Sequence, residues 1–152
     1  MTQKVSGELI FLRYAFPVIR YCNRTTVTTD EIAKFEEMLK SGEPPSRQRL
    51  EEIFPNAVKK LKTWTPEDVR DYWLREHNKI VKGNPLCAVY LFSVSKVLSA
   101  KDKEVCRVNL SGLGTLNVKS YIPLKEKDKV TVHGFQVAEI LSQENIDKYF
   151  RE

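Results

Sequence analysis

The chain has 152 residues, of which 41% are hydrophobic and 30% are charged, and its formal net charge is +5. This length suits one ordinary domain or two small ones. No apolar run reaches the roughly 18 residues of a membrane span, because Arg13 and Pro17 interrupt the most apolar segment. That segment has no basic start and no small-residue cleavage site after it, so we expect no signal peptide. Three cysteines favour a reducing compartment over a disulfide framework, so we expect a cytoplasmic protein. The mild positive charge permits nucleic-acid or acidic protein partners without requiring either.

The first half of the chain has the periodicity and the punctuation of helices. Ser6 is a candidate cap for a first helix, which Pro17 is expected to bend or end. Residues 29–31 read as a second helix start, with a hydroxyl followed by two acids, and Ser41–Gly42 as its end. Thr65–Pro66 predicts the start of a helix with an inward stripe. That stripe contains Val69, Tyr72, Trp73, His77, Ile80 and Val81.

The periodicity changes after Lys82–Pro85, where alternation of the strand type begins. The predicted strands fall at 88–94, 105–110, 116–122 and 130–135, and residues 137–141 either continue the last of these or pair with it after a bend at Gly134. Lys101–Lys103 and Gly112–Gly114 read as turns, and Ser142 as the cap of a short last helix. We therefore predict an α+β protein. A helical domain (residues 1–82) precedes a small OB-like antiparallel β-barrel with a short C-terminal helix (residues 83–152).

Motifs of catalysis and metal binding are missing from the sequence. It has two histidines, His77 and His133, and neither stands in a nucleophile signature or at a zinc-ligand spacing. Gly112 and Gly114 match no phosphate-binding loop, and a tight turn is the ordinary explanation. Because nothing pairs an activated nucleophile or acid with a pocket motif, we predict that the chain is not an enzyme.

The residues from Ile122 to Leu141 resemble one known family. Ile122–Pro123, Asp128, Val132–His133, Glu139 and Leu141 match the closing strands of the HypC/HupF hydrogenase-maturation chaperones, and the short helix after Ser142 resembles the tail of that family. Lys127 stands where the family has a glycine, and Gly134–Phe135 arrives one residue early.

The resemblance implies a metal site and a protein partner. Pro85–Val89 is loosely similar to the opening of the family, although some 80 residues precede it here. Cys87 and His133 then correspond to the cysteine and histidine that are associated with carrying iron to the hydrogenase large subunit. A thiolate beside an imidazole is chemically suited to iron.

Motifs of the N-terminal half, with one in the β region, are similar to those of an uncharacterised two-domain family that is often found alongside hydrogenase genes. The motifs that carry this likeness are Arg13–Pro17, Tyr21–Cys22, Tyr72–Trp73 and Cys106–Val108. On this basis we predict that Arg13, Tyr14, Trp73 and Phe135 contact a protein partner, either a hydrogenase large subunit or a maturation factor. The predicted function is that of a non-enzymatic accessory protein in [NiFe]-hydrogenase maturation.

Two other functions stay open from the residues alone. Small five-stranded barrels bind single-stranded nucleic acids with aromatic side chains and basic rims. The candidate stacking residues are Tyr90, Phe92, Tyr121 and Phe135, and the candidate phosphate contacts are Lys119, Lys125, Lys127 and Lys129. Glu126 and Asp128 alternate with these lysines and partly cancel their charge. The weaker alternative is a protein-interaction scaffold that docks through Lys59–Lys62 and Trp64.

Overall fold

The protein is described from a computed structural model. It describes residues 5–21, 27–81, 88–100, 103–110 and 114–150. The chain divides into two compact units, Met1–His77 and Asn78–Glu152. The predicted domain boundary, between residues 82 and 83, lies outside the described residues. Among the helices of the described segments, none combines the length and the apolarity that crossing a membrane demands.

The first unit is helical. Its elements are α1 (Gly7–Tyr21), α2 (Thr29–Ser41), α3 (Arg47–Ile53), α4 (Pro55–Lys59), α5 (Pro66–Asp71), a π-helical turn (Tyr72–Glu76) and the start of α6 (His77–Ile80). The helix starts are capped as the sequence suggests: Ser6 Oγ accepts from the Leu9 N–H at 3.2 Å, and Thr65 Oγ1 accepts from the Asp68 N–H at 3.3 Å. The cap of α2 is Thr28, one residue earlier than expected.

Pro17 does not end α1, which continues to Tyr21. A proline inside a helix removes one backbone hydrogen bond and crowds the preceding turn. Tertiary packing outweighs that cost here, because the residues on both sides of Pro17 are buried, among them Phe11, Leu12 and Ile19. Trp73 joins this core, with its ring centroid 5.3 Å from that of Phe11. Helix α1 contacts both α2 and α5, so it forms the centre of the helical unit.

The second unit is a closed barrel of five strands. They are β1 (Tyr90–Ala100), β2 (Lys103–Leu110), β3 (Gly114–Ser120), β4 (Lys129–His133) and β5 (Gln136–Ile140), and α7 (Gln143–Phe150) follows them. The strand order around the barrel is β1-β2-β3-β5-β4. The predicted fold class, helices followed by an OB-like barrel and a short last helix, is confirmed.

One junction of the barrel differs from the expected antiparallel pairing. Strands β3 and β5 run parallel, with Lys119 opposite Gln136, while the other neighbours are antiparallel. The reason is geometric: directions cannot alternate all the way around a ring with an odd number of strands. The interior of the barrel is filled by the side chains Phe92, Val94, Val118, Val130, Val132 and Val137.

Two polar side chains secure the ends of the barrel segment. Asn78 bonds both backbone groups of Val89: its Nδ2 donates to the Val89 carbonyl at 3.0 Å, and its Oδ1 accepts from the Val89 N–H at 2.8 Å. This amide takes the place of a neighbouring strand just before β1 begins. Ser142 caps α7, as predicted, by accepting from the Asn145 N–H at 3.3 Å. The predicted turn residues 101–102 and 111–113 lie outside the described segments.

Candidate binding site at the barrel mouth

The turn between β4 and β5 consists of Gly134 and Phe135. Their φ angles are +57° and +64°, and His133 and Gln136 pair across the turn. Positive φ at both central positions is the geometry of a type I′ hairpin turn, which matches the twist of the two strands. The predicted bend at Gly134 is therefore a complete reversal, after which the chain pairs with itself.

Phe135 is a costly residue at this position. Asparagine or glycine normally occupies the left-handed region, and a bulky side chain there is a genuine outlier. The Phe135 ring is also 49% exposed, so burial compensates for only part of that cost. A strained backbone that holds a large apolar side chain in solvent is a feature found at binding sites more often than at structural ones.

Tyr90 lies beside this turn, at the first position of β1. It pairs with Val132 on β4 and is 40% exposed, whereas Phe92 and Val94, at alternate positions further along the strand, are buried. The Tyr90 and Phe92 rings are 6.3 Å apart in an edge-to-face arrangement.

A groove with a cavity of about 40 Å³ joins these residues, and we call it the barrel mouth. It is lined by Ala88, Tyr90, Phe92, Leu116, Val132, Gly134 and Phe135. The groove is shallow and apolar, and it has an exposed aromatic ring at two places on its rim. Its volume is too small to enclose a nucleobase or a drug-sized molecule, so a ligand would contact the two rings on the rim and not enter the groove.

Strand β3 supplies polar groups next to the mouth. The Lys119 N–H donates to the Phe135 carbonyl at 3.0 Å, which ties the turn to β3. The Lys119 ammonium lies 4.7 Å from the centroid of the Tyr121 ring. Thr115 and Asn117, at alternate positions before Lys119, are exposed. The outer face of β3, which alternates with the inward side chains Leu116 and Val118, therefore carries a cation and two polar side chains.

A second group of lysines lies at the opposite end of β4. Lys125, Lys127 and Lys129 are exposed, and Lys127 has a φ of +75° in the turn that leads into the strand. The Asp128 carboxylate accepts from the Lys125 N–H at 2.9 Å, so it serves that turn as well as offsetting charge. The barrel unit as a whole is basic. Residues 78–152 contain 12 of the 25 Lys and Arg residues and 8 of the 20 acids, so they carry four of the five net positive charges.

The predicted metal pair is described only in part. His133 lies at the end of β4 and is 2% exposed, whereas Cys87 lies outside the described residues. In the part of the chain that the structure describes, no three His, Cys, Asp or Glu side chains group as metal ligands. Of the two predicted ligands, the structure therefore describes His133 alone, and one buried imidazole does not by itself hold an iron ion.

The predicted partner contacts are placed in the two different units. Tyr14 and Trp73 are stacked in the helical unit, with ring centroids 5.8 Å apart and an interplanar angle of 12°, and both are buried. Because neither ring is exposed to solvent, their described contacts are packing contacts within the helical unit. Arg13 is half-buried on α1. Phe135, in the barrel unit, is the one of the four with a substantially exposed side chain.

The left-handed backbone of Phe135 was not visible in the sequence. The pair Gly134–Phe135 indicates a bend, but it carries no signal that the bend would be a two-residue turn with the phenyl ring outside. The alternation from residue 88 to residue 94 does put Tyr90 and Phe92 on one face of a strand, but it does not show that Tyr90 is exposed while Phe92 is buried.

Comparison with family models, with curated proteins and with solved structures gives no match for this chain.

Proposed function

We propose that the chain is a non-enzymatic binding protein whose barrel takes a single-stranded nucleic-acid segment at the barrel mouth. The observation that carries the proposal is the pair of exposed aromatic rings, Tyr90 and Phe135, on the rim of one shallow groove. Every base has a flat π-face, so exposed rings at a barrel rim bind single strands with little sequence preference.

The place of Phe135 in the fold supports the same conclusion. OB-folds bind oligonucleotides through the face of strands 2 and 3 and through the loops that join strands 1 to 2 and 4 to 5. Phe135 belongs to the loop between β4 and β5, and the exposed residues Thr115 and Asn117 belong to β3. The aromatic and polar groups are thus on the elements that this architecture uses for binding.

Charge supplies the remaining part of the argument. The barrel unit carries most of the net positive charge, and Lys119 lies at the point where β3 meets the turn. Phosphate contacts from lysine are independent of base identity and release counterions, so the affinity falls steeply as salt rises. The function of Lys119 in the proposal is to hold a phosphate next to the base that stacks on Phe135.

Fluorescence anisotropy with a labelled oligothymidine of about 12 nucleotides tests the proposal, since single OB-folds cover about 4–16 nucleotides. We expect binding that weakens between low and physiological salt. Replacing Tyr90 or Phe135 by alanine should weaken it about 5- to 150-fold, the range for loss of one stacked base. Replacing Lys119 by alanine should reduce the salt slope by about one phosphate contact.

Two matched variants serve as controls. Ile140→Ala removes an apolar side chain of β5 that is 45% exposed but does not line the mouth. Lys148→Ala removes an exposed lysine of α7. Both should bind as the unchanged chain does. Absence of salt-dependent binding, or equal binding by the Phe135 and Ile140 variants, would rule the proposal out.

A second candidate is the accessory role in [NiFe]-hydrogenase maturation that the resemblance implies. The observation in its favour is that the exposed ring of Phe135 comes two residues after His133, so a protein that docks on Phe135 reaches the end of β4. The described residues do not complete an iron site, and the candidate therefore rests on protein docking. A pull-down with a hydrogenase large subunit, repeated with Phe135→Ala, tests it. Iron analysis of Cys87→Ala and His133→Ala separately tests the predicted metal pair.

A further inference from the structure

Strand β3 extends beyond its neighbour β5. The two strands run parallel and pair at one position, Lys119 opposite Gln136. Because Gln136 is the first residue of β5, the residues of β3 before Lys119 continue past the turn at Gly134–Phe135. In the described part of the chain, no strand lies beside residues 114–118 on this side. These five residues span about 16 Å, and we call them the open edge of β3.

The hydrogen bonding of β3 fixes the direction of the backbone groups along the open edge. Strand β3 pairs with β2 without a register shift from Gly114 to Ser120. In an antiparallel pair, successive residues direct their N–H and C=O groups alternately to one side of the strand and to the other. The Lys119 N–H bonds the Phe135 carbonyl on the β5 side, so Thr115 and Asn117 direct their backbone groups to that same side. Both residues are exposed.

The open edge lacks the features that normally keep a strand edge from pairing with another chain. Such features are lysines, prolines, bulges and inward-pointing charges. Residues 114–118 read Gly-Thr-Leu-Asn-Val, without a charge or a proline, and their pairing with β2 has no bulge. The turn before β4 differs, because Lys125, Lys127 and Lys129 are exposed there. A strand added to the open edge of β3 therefore meets no built-in obstacle.

The side chains of an added strand would meet two different surfaces. Leu116 packs toward the barrel interior and lines the mouth together with Phe135, whose ring is 49% exposed. Thr115, Asn117 and Lys119 alternate with Leu116 on the outer face of β3. Neighbouring strands bring side chains of the same face into contact. Alternate residues of the added strand thus lie near an apolar rim and near a polar face that carries a cation.

Charge selects the kind of strand that fits. Residues 78–152 contain 12 Lys and Arg against 8 Asp and Glu, and Lys119 lies at the end of the open edge. Acidic residues on the outer side of the added strand complement this charge. A second copy of the chain would bring the same positive charge. A pairing of five residues is also far smaller than the roughly 800 Å² per partner of a standard interface.

We propose that the open edge of β3 binds an extended acidic segment of a partner protein as an added strand. Main-chain hydrogen bonds along the edge, first of all those of Thr115, supply affinity, and alternation of acidic and apolar side chains supplies specificity. The acidic residues lie beside Lys119 on the outer face, and the apolar residues lie toward Phe135. The inference does not rest on nucleic-acid binding, because it uses backbone groups that the proposed function does not need.

Fluorescence anisotropy on the full chain tests the proposal with the fluorescein-labelled peptide Glu-Val-Glu-Val-Glu-Val. We expect saturable binding with a dissociation constant below about 1 mM. The peptide Lys-Val-Lys-Val-Lys-Val should bind more weakly, because the barrel unit is basic. A strand directs alternate amides to opposite sides, so N-methylation of the third residue, a glutamate, and of the fourth, a valine, should differ in effect. The methyl group that faces β3 should weaken binding about 5- to 150-fold, the range for one unpaired hydrogen-bonding group, and the other should leave it unchanged.

Two variants of one residue locate the site. Thr115→Pro removes an N–H that faces away from β2, and proline is tolerated at such edge positions, so the strands should persist in circular dichroism. This variant should bind the peptide about 5- to 150-fold more weakly. Thr115→Ala keeps the N–H and is the matched control, which should bind as the unchanged chain does.

Three results would overturn the proposal: no saturable binding of the acidic peptide up to about 1 mM, equal effects of the two methylations, or equal binding by the two Thr115 variants. Dimers of the unchanged chain that Thr115→Pro dissociates would assign the edge to a second copy and overturn it as well. The oligothymidine titration is a separate measurement, so failure of the peptide to bind is distinguishable from failure of the proposed function.

Discussion

The backbone strain at Phe135 leads to an unusual order of stabilities. A side chain in the left-handed region costs about 1–2 kcal/mol, and glycine is exempt from that cost. We therefore expect Phe135→Gly to be more stable than Phe135→Ala by about 1 kcal/mol. Elsewhere in a strand or helix the order is opposite, since glycine is less stable than alanine by about 0.5–1 kcal/mol.

The loss of the ring is common to both variants and can be calculated separately. A phenylalanine ring has roughly 200 Å² of surface, and the ring of Phe135 is 49% exposed. About 100 Å² is then buried, which corresponds to at most about 2.5 kcal/mol at 25 cal/mol per Å². Phe135→Ala should lose about 2 kcal/mol, and Phe135→Gly about 1 kcal/mol, because relief of strain offsets part of its loss.

Ile140 provides the matched control. It lies at the end of β5, its side chain is exposed to a similar extent at 45%, and its φ is not positive. Ile140→Gly should be less stable than Ile140→Ala by about 0.5–1 kcal/mol. The difference in stability between the glycine and the alanine variant thus has opposite signs at Phe135 and Ile140. The gap between the two differences exceeds the few tenths of a kcal/mol by which mutations at distant sites depart from additivity.

The assay must report on the barrel. Both tryptophans, Trp64 and Trp73, lie in the helical unit, so their emission follows that unit alone. Amide hydrogen exchange of β4 and β5 measures the free energy of opening in the barrel strands. If Phe135→Ala proves as stable as Phe135→Gly, the turn is not strained, and the structural reason for assigning it a binding role is lost.

Two further predictions concern the helical unit. A Cβ on Gly7 would stand 1.8 Å from the Trp64 carbonyl oxygen, so Gly7→Ala should lower the free energy of unfolding, measured in urea, by about 2–3 kcal/mol. At Gly42 an added Cβ meets nothing within 4 Å, but φ is +83°, so Gly42→Ala should lower it by only about 1 kcal/mol. Equal losses would show that the first site has room. Arg49 donates to both oxygens of Glu31 at 2.6 Å and thereby lowers the pKa of that carboxyl from 4.5. The pair stabilises the fold above pH 4.5 and loses its effect as the pH falls through the lowered pKa. Glu31→Gln should therefore lower the free energy of unfolding by about 1 kcal/mol at neutral pH and by progressively less in acid. A loss that stays constant into acid would contradict this.

The helix ends of this protein were readable from the sequence because their causes are local. Ser6, Thr65 and Ser142 each accept a hydrogen bond from an N–H three residues later, and Gly42 ends α2 in the left-handed conformation. A capping hydroxyl acts on residues within one turn, so the sequence contains the whole interaction. Two threonines, Thr28 and Thr29, precede the acids at the start of α2, and either can serve as the cap by its local chemistry. In the structure the cap is Thr28.

The faces of the elements were harder to predict, because the periodicity of a sequence does not say what covers a side chain. Tyr14 and Trp73 were expected to contact a partner, yet they stack on each other in the helical unit. Ile80 was placed on an inward stripe but is 60% exposed. The π-helical turn that begins at Tyr72 moves every later residue of that stripe around the helix axis, and no local pattern announced it.

The sequence by itself determined where most helices and strands begin and end, and that the chain changes from helical to β structure after the middle, since such signals act over a few neighbouring residues. Only the tertiary structure decided that the barrel closes with one parallel junction, that the Phe135 ring lies in solvent and that His133 is buried. The physical reason is that closure and burial depend on contacts between residues far apart in the chain. The parallel partner of Lys119 is Gln136, and the groove beside it joins residues from β1, β3 and β4.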